Sequence, residues 1–328
     1  MKFEKGLLSQ LFIAISLVGL VVYGLLSCTP EPALIPADDF IEADIVYYRD
    51  LIVFVEEDTD QRDILVCDLG REKKQEVYTG EFWGCFSRDG SWHKLRKTGK
   101  YRLLTSRPSI PEGPPGVEVS IRGCEYIIDY TDSEDNFVLE SDCISIMYKE
   151  SDTEDLRIQY GLADAKLKIG DEEIEGRILC AFTRWVNYEP ITAEYRNRYK
   201  DFLRFMLFND DVFVLARENG ADMMEFASKN DLEDSPKAVN AYLSIGGYRK
   251  SFNTFKLITT DRSYDLALFR VPFGWEIEFD KENSLIVAGE DYYLDNKILT
   301  GRAFIEITGA LNSRGDDHEL VGICEFIK

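Results

Sequence analysis

The amino-acid sequence predicts an all-β protein whose antiparallel strands form barrels or sandwiches. From residue 44 onward the chain consists of short apolar runs, many alternating with polar residues, and clusters of Gly, Asp and Asn separate them. Only residues 223–228 have the pattern of a short helix. The clearest strand is residues 275–280, where Trp, Ile and Phe alternate with three acids, so that one face is apolar and the other faces water.

The first half of this region contains three predicted strands, a loop and a hairpin. The strands are residues 50–56, 63–68 and 81–87, and Arg88-Asp89-Gly90 indicates a turn after the third. Four prolines within residues 106–116 break the strand pattern and predict a loop. Residues 117–130 follow as a predicted hairpin.

The second half alternates more clearly. Residues 201–209 and 212–218 flank Asp210-Asp211, which predicts a hairpin. Further antiparallel strands are predicted at residues 264–271, 285–288, 302–310 and 320–327. The region after the N-terminus is long enough for two domains of roughly 150 residues.

The N-terminus has the pattern of an export signal that ends in a lipid attachment site. A basic start precedes an almost uncharged stretch, residues 6–27, and Leu25-Leu26-Ser27-Cys28 resembles the lipobox of bacterial lipoproteins, where a lipid is joined to the cysteine and the chain is cut before it. We predict a signal peptide over residues 1–27, lipid on Cys28, an extended tether over residues 28–43, and a cell-envelope location, periplasmic or at the outer surface. The alternative is an uncleaved membrane helix, since the apolar stretch is just long enough to span a bilayer.

The composition argues against a nucleic-acid partner. The chain has 60 acidic and 38 basic residues and a formal charge of −22, so it repels polyanions. The six cysteines after Cys28 lie mostly in apolar runs, and we expect buried thiols while allowing for one disulfide. Neither a Cys-x-x-Cys pair nor the surroundings of His93 and His318 indicate a metal site, and no nucleotide fingerprint occurs, so we predict no metal and no cofactor.

The segment Gly301-Arg302-Ala303-Phe304-Ile305-Glu306-Ile307-Thr308-Gly309 resembles the Gly-Arg-Gly-Tyr-x-Glu-Leu-Thr-Gly ending of the hydroxyneurosporene synthase and AttH-like family, also called carotenoid 1,2-hydratase-like. Residues 166–170 with 176–185 are similar to the start of that family's second barrel, and residues 202–218 to its long hairpin. The resemblance covers residues 155–328, and residues 44–151 only loosely. It implies two tandem lipocalin-like domains, which we place at residues 44–155 and 156–328.

The chain departs from the family where the hydration chemistry takes place. The hydratases carry an Asp-His-Glu-Trp-like motif at the start of the second barrel, whereas the counterpart here is Phe182-Thr183-Arg184-Trp185, with neither histidine nor acid. Residues 212–216 of the following hairpin are entirely apolar. The resemblance therefore supplies no catalytic residue, and the sequence leaves catalysis undecided while favouring a non-enzymatic role.

Aromatic residues at alternating strand positions suit a pocket for a hydrophobic molecule, although the same residues could simply pack the core. Phe202 and Trp275 belong to this aromatic set. We also expect polar residues that orient the ligand, here called polar guides, at the positions where the resemblance places the family's functional residues. The predicted ligand-binding residues are Arg184, Trp185, Tyr188, Glu189, Phe202 and Trp275.

Three functions remain open at this point. The first is a membrane-tethered protein that binds an isoprenoid or another lipid. The second is an acid-catalysed isoprenoid hydratase or cyclase, which needs a buried carboxylic acid of raised pKa, and Glu189, Glu225 and Asp265 are the candidates. The third is a structural or interaction protein of the envelope with a filled core. The sequence names no protein partner.

Overall fold

The computed structural model describes residues 43–57, 61–104, 106, 108–152, 156–186, 202–219, 240–264, 270–297 and 300–327. The regular secondary structure in these ranges is entirely β, which confirms the predicted fold class. The predicted signal peptide, Cys28, nearly all of the tether and the helix at residues 223–228 lie outside the described residues. Within the described part, no helix has the length and apolar character needed to cross a membrane.

The first sheet contains eleven strands. They are β1 Ile45–Glu56, β2 Ile64–Lys74, β3 Val77–Arg88, β4 Ser91–Lys94, β5 Gly99–Arg102, β6 Val117–Arg122, β7 Glu125–Thr131, β8 Asn136–Ser141, β9 Ser145–Asp152, β10 Leu156–Ile169 and β11 Glu172–Val186. Their order across the sheet is β4-β3-β2-β1-β11-β10-β8-β7-β6, while β5 pairs with β3 and β9 with β10.

The second sheet contains nine strands. They are β12 Phe202–Phe208, β13 Val212–Asn219, β14 Asn240–Ile245, β15 Tyr248–Phe252, β16 Lys256–Tyr264, β17 Arg270–Glu278, β18 Asn283–Lys297, β19 Thr300–Ser313 and β20 Asp316–Ile327. Their order is β15-β14-β13-β12-β20-β19-β18-β17-β16.

The two sheets share one connectivity. In each, the first strand pairs with both the second and the last, which joins β1 to β2 and β11, and β12 to β13 and β20. The remaining neighbours in both sheets are also antiparallel, and each sheet curls around its own interior. We call β1 to β11 the first barrel and β12 to β20 the second barrel.

The boundary between the barrels lies later in the chain than the predicted boundary after residue 155. The strands β10 and β11, which the sequence assigned to the second domain, pair with β8, β9 and β1 of the first sheet. The chain passes from one sheet to the other between Val186 and Phe202. Local alternation identifies a strand, but membership of a sheet depends here on the long-range pairing of β1 with β11.

The strand predictions are confirmed with one exception. Residues 264–271 were predicted as a single strand, whereas Tyr264 ends β16 and pairs with Arg270 at the start of β17. The predicted turn after β3 is present, and Asp89 and Gly90 both have positive φ angles, 51° and 69°. Such angles match the twist of a tight hairpin and explain the Asp-Gly pair.

Each barrel has its own apolar core, and a third cluster joins the two barrels. The interior of the first barrel contains residues such as Ile52, Phe82 and Phe182, and the interior of the second contains Phe205, Trp275 and Ile305. The third cluster combines outward-facing residues of the first sheet, among them Leu51 and Val66, with those of the second. The outward faces of β1, β2, β10 and β11 therefore pack against those of β12, β13, β14, β19 and β20.

One disulfide is present among the described residues. It joins Cys124, in the turn between β6 and β7, to Cys143, just after β8. The other described cysteines are buried thiols, namely Cys67, Cys85, Cys180 and Cys324. This confirms the expectation of buried thiols with one bridge.

Replacing Cys124 and Cys143 together with serine should lower the free energy of unfolding by about 3 kcal/mol, because the bridge closes a loop of a size that constrains the unfolded chain by this amount. Thermal unfolding under oxidising conditions measures the effect, and a reductant should lower the Tm of the wild type alone. A variant as stable as the wild type would show that the bridge contributes nothing to the native fold.

Candidate functional site

A buried acid at the end of β13 is the most unusual residue in the interior of the second barrel. Side chains alternate along this strand, so Val212, Val214 and Ala216 belong to the interior core while Phe213 and Leu215 belong to the cluster between the barrels. Glu218 continues the interior series. A carboxyl group therefore stands where the alternation calls for an apolar side chain.

Glu218 is only 2 % exposed. Its Oε1 atom is buried without a hydrogen-bond partner, and no ion pair to Glu218 is present among the described residues. Burial raises the pKa of Glu218 from its ordinary 4.5 to about 7, and no charge of the described residues offsets this effect. The carboxyl group is therefore largely protonated below neutral pH.

Asp50, which is buried, and Glu150, which is mostly buried, have partners among the described residues, which sets Glu218 apart. In the first barrel, Asp50 accepts hydrogen bonds from Arg71 Nη1 at 2.8 Å and from the Tyr126 hydroxyl at 3.0 Å. Between the barrels, Glu150 accepts from Arg217 at 3.0 Å and from the Tyr160 hydroxyl at 2.7 Å. Such partners offset the cost of burying a charge, and Glu218 has none in the described part of the chain.

Trp275 supplies a second buried polar atom without a partner in the same interior. Its side chain is fully buried, and its Nε1 atom has no hydrogen-bond acceptor among the described residues. The indole ring contacts the ring of Phe205 edge to face, with centroids 5.0 Å apart. Phe205 follows Leu203 as the next interior residue of β12, and Leu203 pairs with Glu218. Trp275 thus contacts Phe205, whose interior layer is next to the layer of Leu203 and Glu218 along β12.

Both of these interior layers contain small residues. Ala216 pairs with Phe205 on one side and with Ala241 on the other, and Ala303 belongs to the same core. Alanines leave more space in a barrel interior than the Leu, Ile and Phe residues around them. The interior next to Glu218 therefore combines apolar walls, small side chains and two polar atoms without partners.

Glu218 also lies at the end of the second barrel where the longer connections begin. Strand β13 ends at Asn219 and β14 begins at Asn240, whereas at the opposite end β14 and β15 are joined by Gly246-Gly247 and β19 and β20 by Arg314-Gly315. Binding residues are disproportionately carried by loops that a rigid scaffold positions.

The two predicted polar guides that the structure describes, Arg184 and Trp185, do not lie next to Trp275. Arg184 is 2 % exposed and lies on the interior face of β11 in the first barrel, in register with Tyr48 and Arg157. Trp185 points the opposite way and packs into the cluster between the barrels. Phe202 opens β12 in the second barrel. The predicted residues Tyr188 and Glu189 and the candidate acids Glu225 and Asp265 lie outside the described residues.

A group of five charged residues, which we call the Glu325 ion group, ties the two barrels together. Glu325 is fully buried and accepts hydrogen bonds from Arg49 Nη2 at 2.8 Å, from Arg302 Nη2 at 2.6 Å and from Arg204. Asp68 of the first barrel also binds Arg49 and Arg302. Burial alone would raise the pKa of Glu325, but the three guanidinium groups outweigh this and hold it well below its ordinary range.

The fold is recognised by comparison with solved structures and not by comparison of sequences. No family model matches the sequence, and no curated protein matches it significantly. Among solved structures, an AttH protein from Nitrosomonas europaea superposes with a TM-score of 0.58 at 11% identity, covering 90% of this chain and 97% of that one. Kievitone hydratase from Nectria haematococca superposes with a TM-score of 0.57 at 9% identity, covering 86% and 88%. This chain has the tandem lipocalin-like fold. The resemblance inferred from the sequence is thus confirmed at the level of the fold.

Within this tandem lipocalin-like fold, Glu218 is the residue that the sequence analysis missed. Residues 212–216 are entirely apolar, and the acid stands two residues further on, on the same face of β13 as Ala216. Continuing the alternation of interior and outward side chains from Ala216 by one interior position leads to Glu218. The absence of partners around it could not be inferred, because it depends on side chains from distant strands.

Proposed function

We propose that this protein is a lipid-anchored carrier that binds a hydrophobic small molecule, such as an isoprenoid or another lipid, in the second barrel. The observation that carries the proposal is Glu218, an unpaired and buried carboxyl group in an otherwise apolar interior. Leaving such a group without a partner costs about 1–3 kcal/mol, a cost that a bound ligand with a polar atom would remove. The tandem lipocalin-like fold is consistent with an interior ligand.

Anchoring at the cell envelope through Cys28 is part of the proposal and rests on the sequence. The lipobox-like segment Leu25-Leu26-Ser27-Cys28 supports it. The Cys124–Cys143 disulfide is a second support, because disulfides persist in exported proteins and are rare in reducing compartments. Mass measurement of the N-terminal peptide of the membrane-bound protein would show a diacylglycerol adduct on Cys28 if the proposal is right.

Filling the interior of the second barrel should abolish ligand binding. The Ala241→Leu variant adds bulk beside Ala216 in the interior layer of Phe205, next to the layer of Glu218, so we expect it to weaken the binding of a neutral apolar dye by at least about tenfold. Overpacking costs roughly 1–3 kcal/mol of stability. Ala163→Leu makes the same change at a buried interior position of the first barrel and controls for this cost.

The experiment uses the chain from residue 29 on, which contains the cores of both barrels and the cluster between them. Dye titration of the wild type and both variants, with the Tm of each, gives the measurement. Equal binding by Ala241→Leu and the wild type would place the ligand elsewhere, and no binding by any of them would contradict the proposal.

The elevated pKa of Glu218, about 7, favours one further candidate function, acid-catalysed hydration of an alkene. In that reaction the carboxylic acid of Glu218 gives its proton to one alkene carbon, water adds to the resulting cation, and the proton lost by the water returns to the carboxylate. The Glu218→Gln variant cannot donate this proton and should lose the activity, while it should still bind the dye. Water uptake by an isoprenoid that is unchanged in the variant would contradict this role for Glu218.

A further inference from the structure

Two buried polar atoms in the second barrel point to the chemistry of the ligand. Trp275 Nε1 is a hydrogen-bond donor and cannot accept. The Glu218 carboxyl lies in apolar surroundings without a cationic partner among the described residues, which favours its protonated form, also a donor. Within the described part of the chain, the interior therefore offers two donors and no protein acceptor at either.

A ligand that carries an acceptor oxygen could accept a hydrogen bond from Glu218 or from Trp275 Nε1. We propose that the second barrel selects a neutral, oxygen-bearing apolar molecule, such as a ketone, an ester or an alcohol, over a hydrocarbon, a carboxylate or an amine. The inference rests on the proposed function and adds the chemical class of the ligand to it.

The competing ligand classes fit the same atoms less well. A hydrocarbon leaves both donors without partners. A carboxylate would bring a second acidic group beside Glu218 in a site of low polarity, where two carboxyl groups cannot both ionise. An alkylammonium ion could pair with ionised Glu218, but it offers no acceptor to Trp275 Nε1, and its charge would have to leave water.

Four probes of one chain length test the inference: decane, decanone, decanoate and decylamine. Each competes with a neutral apolar dye for the chain from residue 29 on, at about pH 6. We expect decanone to bind about tenfold more tightly than decane, the ratio that one recovered buried hydrogen bond of about 1.4 kcal/mol provides. Decanoate and decylamine should bind more weakly than decanone.

Variants at the two donors separate their contributions. Glu218→Met and Trp275→Phe each remove one donor while keeping most of the apolar volume, and each should reduce the preference for decanone over decane. Glu218→Gln retains an N–H donor and should keep the preference. A matched change on the outer, exposed face of β17, Glu276→Gln, should alter nothing.

The outcomes distinguish the ligand class from the function itself. If the dye binds but decane and decanone compete equally, or if decanoate or decylamine competes best, the ligand class is wrong and the carrier function stands. If neither the dye nor any probe binds, the proposed function fails and the inference falls with it.

Discussion

Replacing Glu325 with alanine is expected to lower the free energy of unfolding by about 3–5 kcal/mol, the range observed when one partner of a buried ion pair is removed. Three guanidinium groups converge on this fully buried carboxylate, and Asp68 would then be left as the acidic member of the Glu325 ion group. The effect should be large because the arginines remain buried after their counter-charge is gone.

The position of Glu325 also predicts how the variant unfolds. Glu325 and two of its arginines belong to the second barrel, while Arg49 and Asp68 belong to the first. Loss of the carboxylate weakens the contact between the barrels, so we expect urea unfolding to separate into two transitions. The control is Glu319→Ala, an exposed position on the same strand. A loss below about 1 kcal/mol, in the range of a surface ion pair, would contradict this account of the interface.

Glu218→Gln is expected to stabilise the protein at alkaline pH by roughly 3 kcal/mol and to have little effect near pH 4. The pKa of Glu218 is about 7 in the folded protein against an ordinary 4.5, so the folded state holds its proton more tightly than the unfolded state. Below about pH 4.5, Glu218 is protonated in both states and does not lower the free energy of unfolding of the wild type. As the pH rises to about 7 and beyond, that free energy falls progressively, because the carboxyl group ionises more readily in the unfolded chain. Glutamine has a similar shape and no charge, so the variant avoids the loss.

Urea unfolding of the wild type and Glu218→Gln across this pH range measures the difference. Other ionisable groups change the stability of both proteins alike and cancel in the comparison. Glu276→Gln, at an exposed position of β17, should follow the wild type at every pH. A difference between wild type and Glu218→Gln that does not grow with pH would show that the Glu218 carboxyl is hydrated or paired in solution.

The strands could be predicted because their information is local. Alternation of apolar and polar residues over a few positions identified β1 to β3, β6, β7, β12, β13 and β17 to β20, and the Asp89-Gly90 pair defined a turn. The division between the barrels could not be predicted in the same way, because β1 pairs with β11 across most of the first barrel. The ion pair between Arg49 and Glu325 joins residues 276 positions apart, and no local pattern indicates it.

The candidate site was predicted only in part. Trp275 was selected for its place in an alternating aromatic set and is indeed an interior residue of the second barrel. Arg184 was selected by resemblance and lies inside the first barrel, because its strand belongs to the first sheet. Glu218 stands out only when the partners of every buried carboxyl group are known, which requires the three-dimensional structure.

The most direct test of the central claim is native mass spectrometry, combined with lipid extraction, of the full-length protein purified from the envelope fraction of the cells that produce it. A ligand in the second barrel predicts a co-purifying apolar molecule at near one per chain, retained by Ala163→Leu and lost from Ala241→Leu. Repeated preparations without any such molecule, together with a flat dye titration, would contradict the claim and favour a structural protein with a filled core.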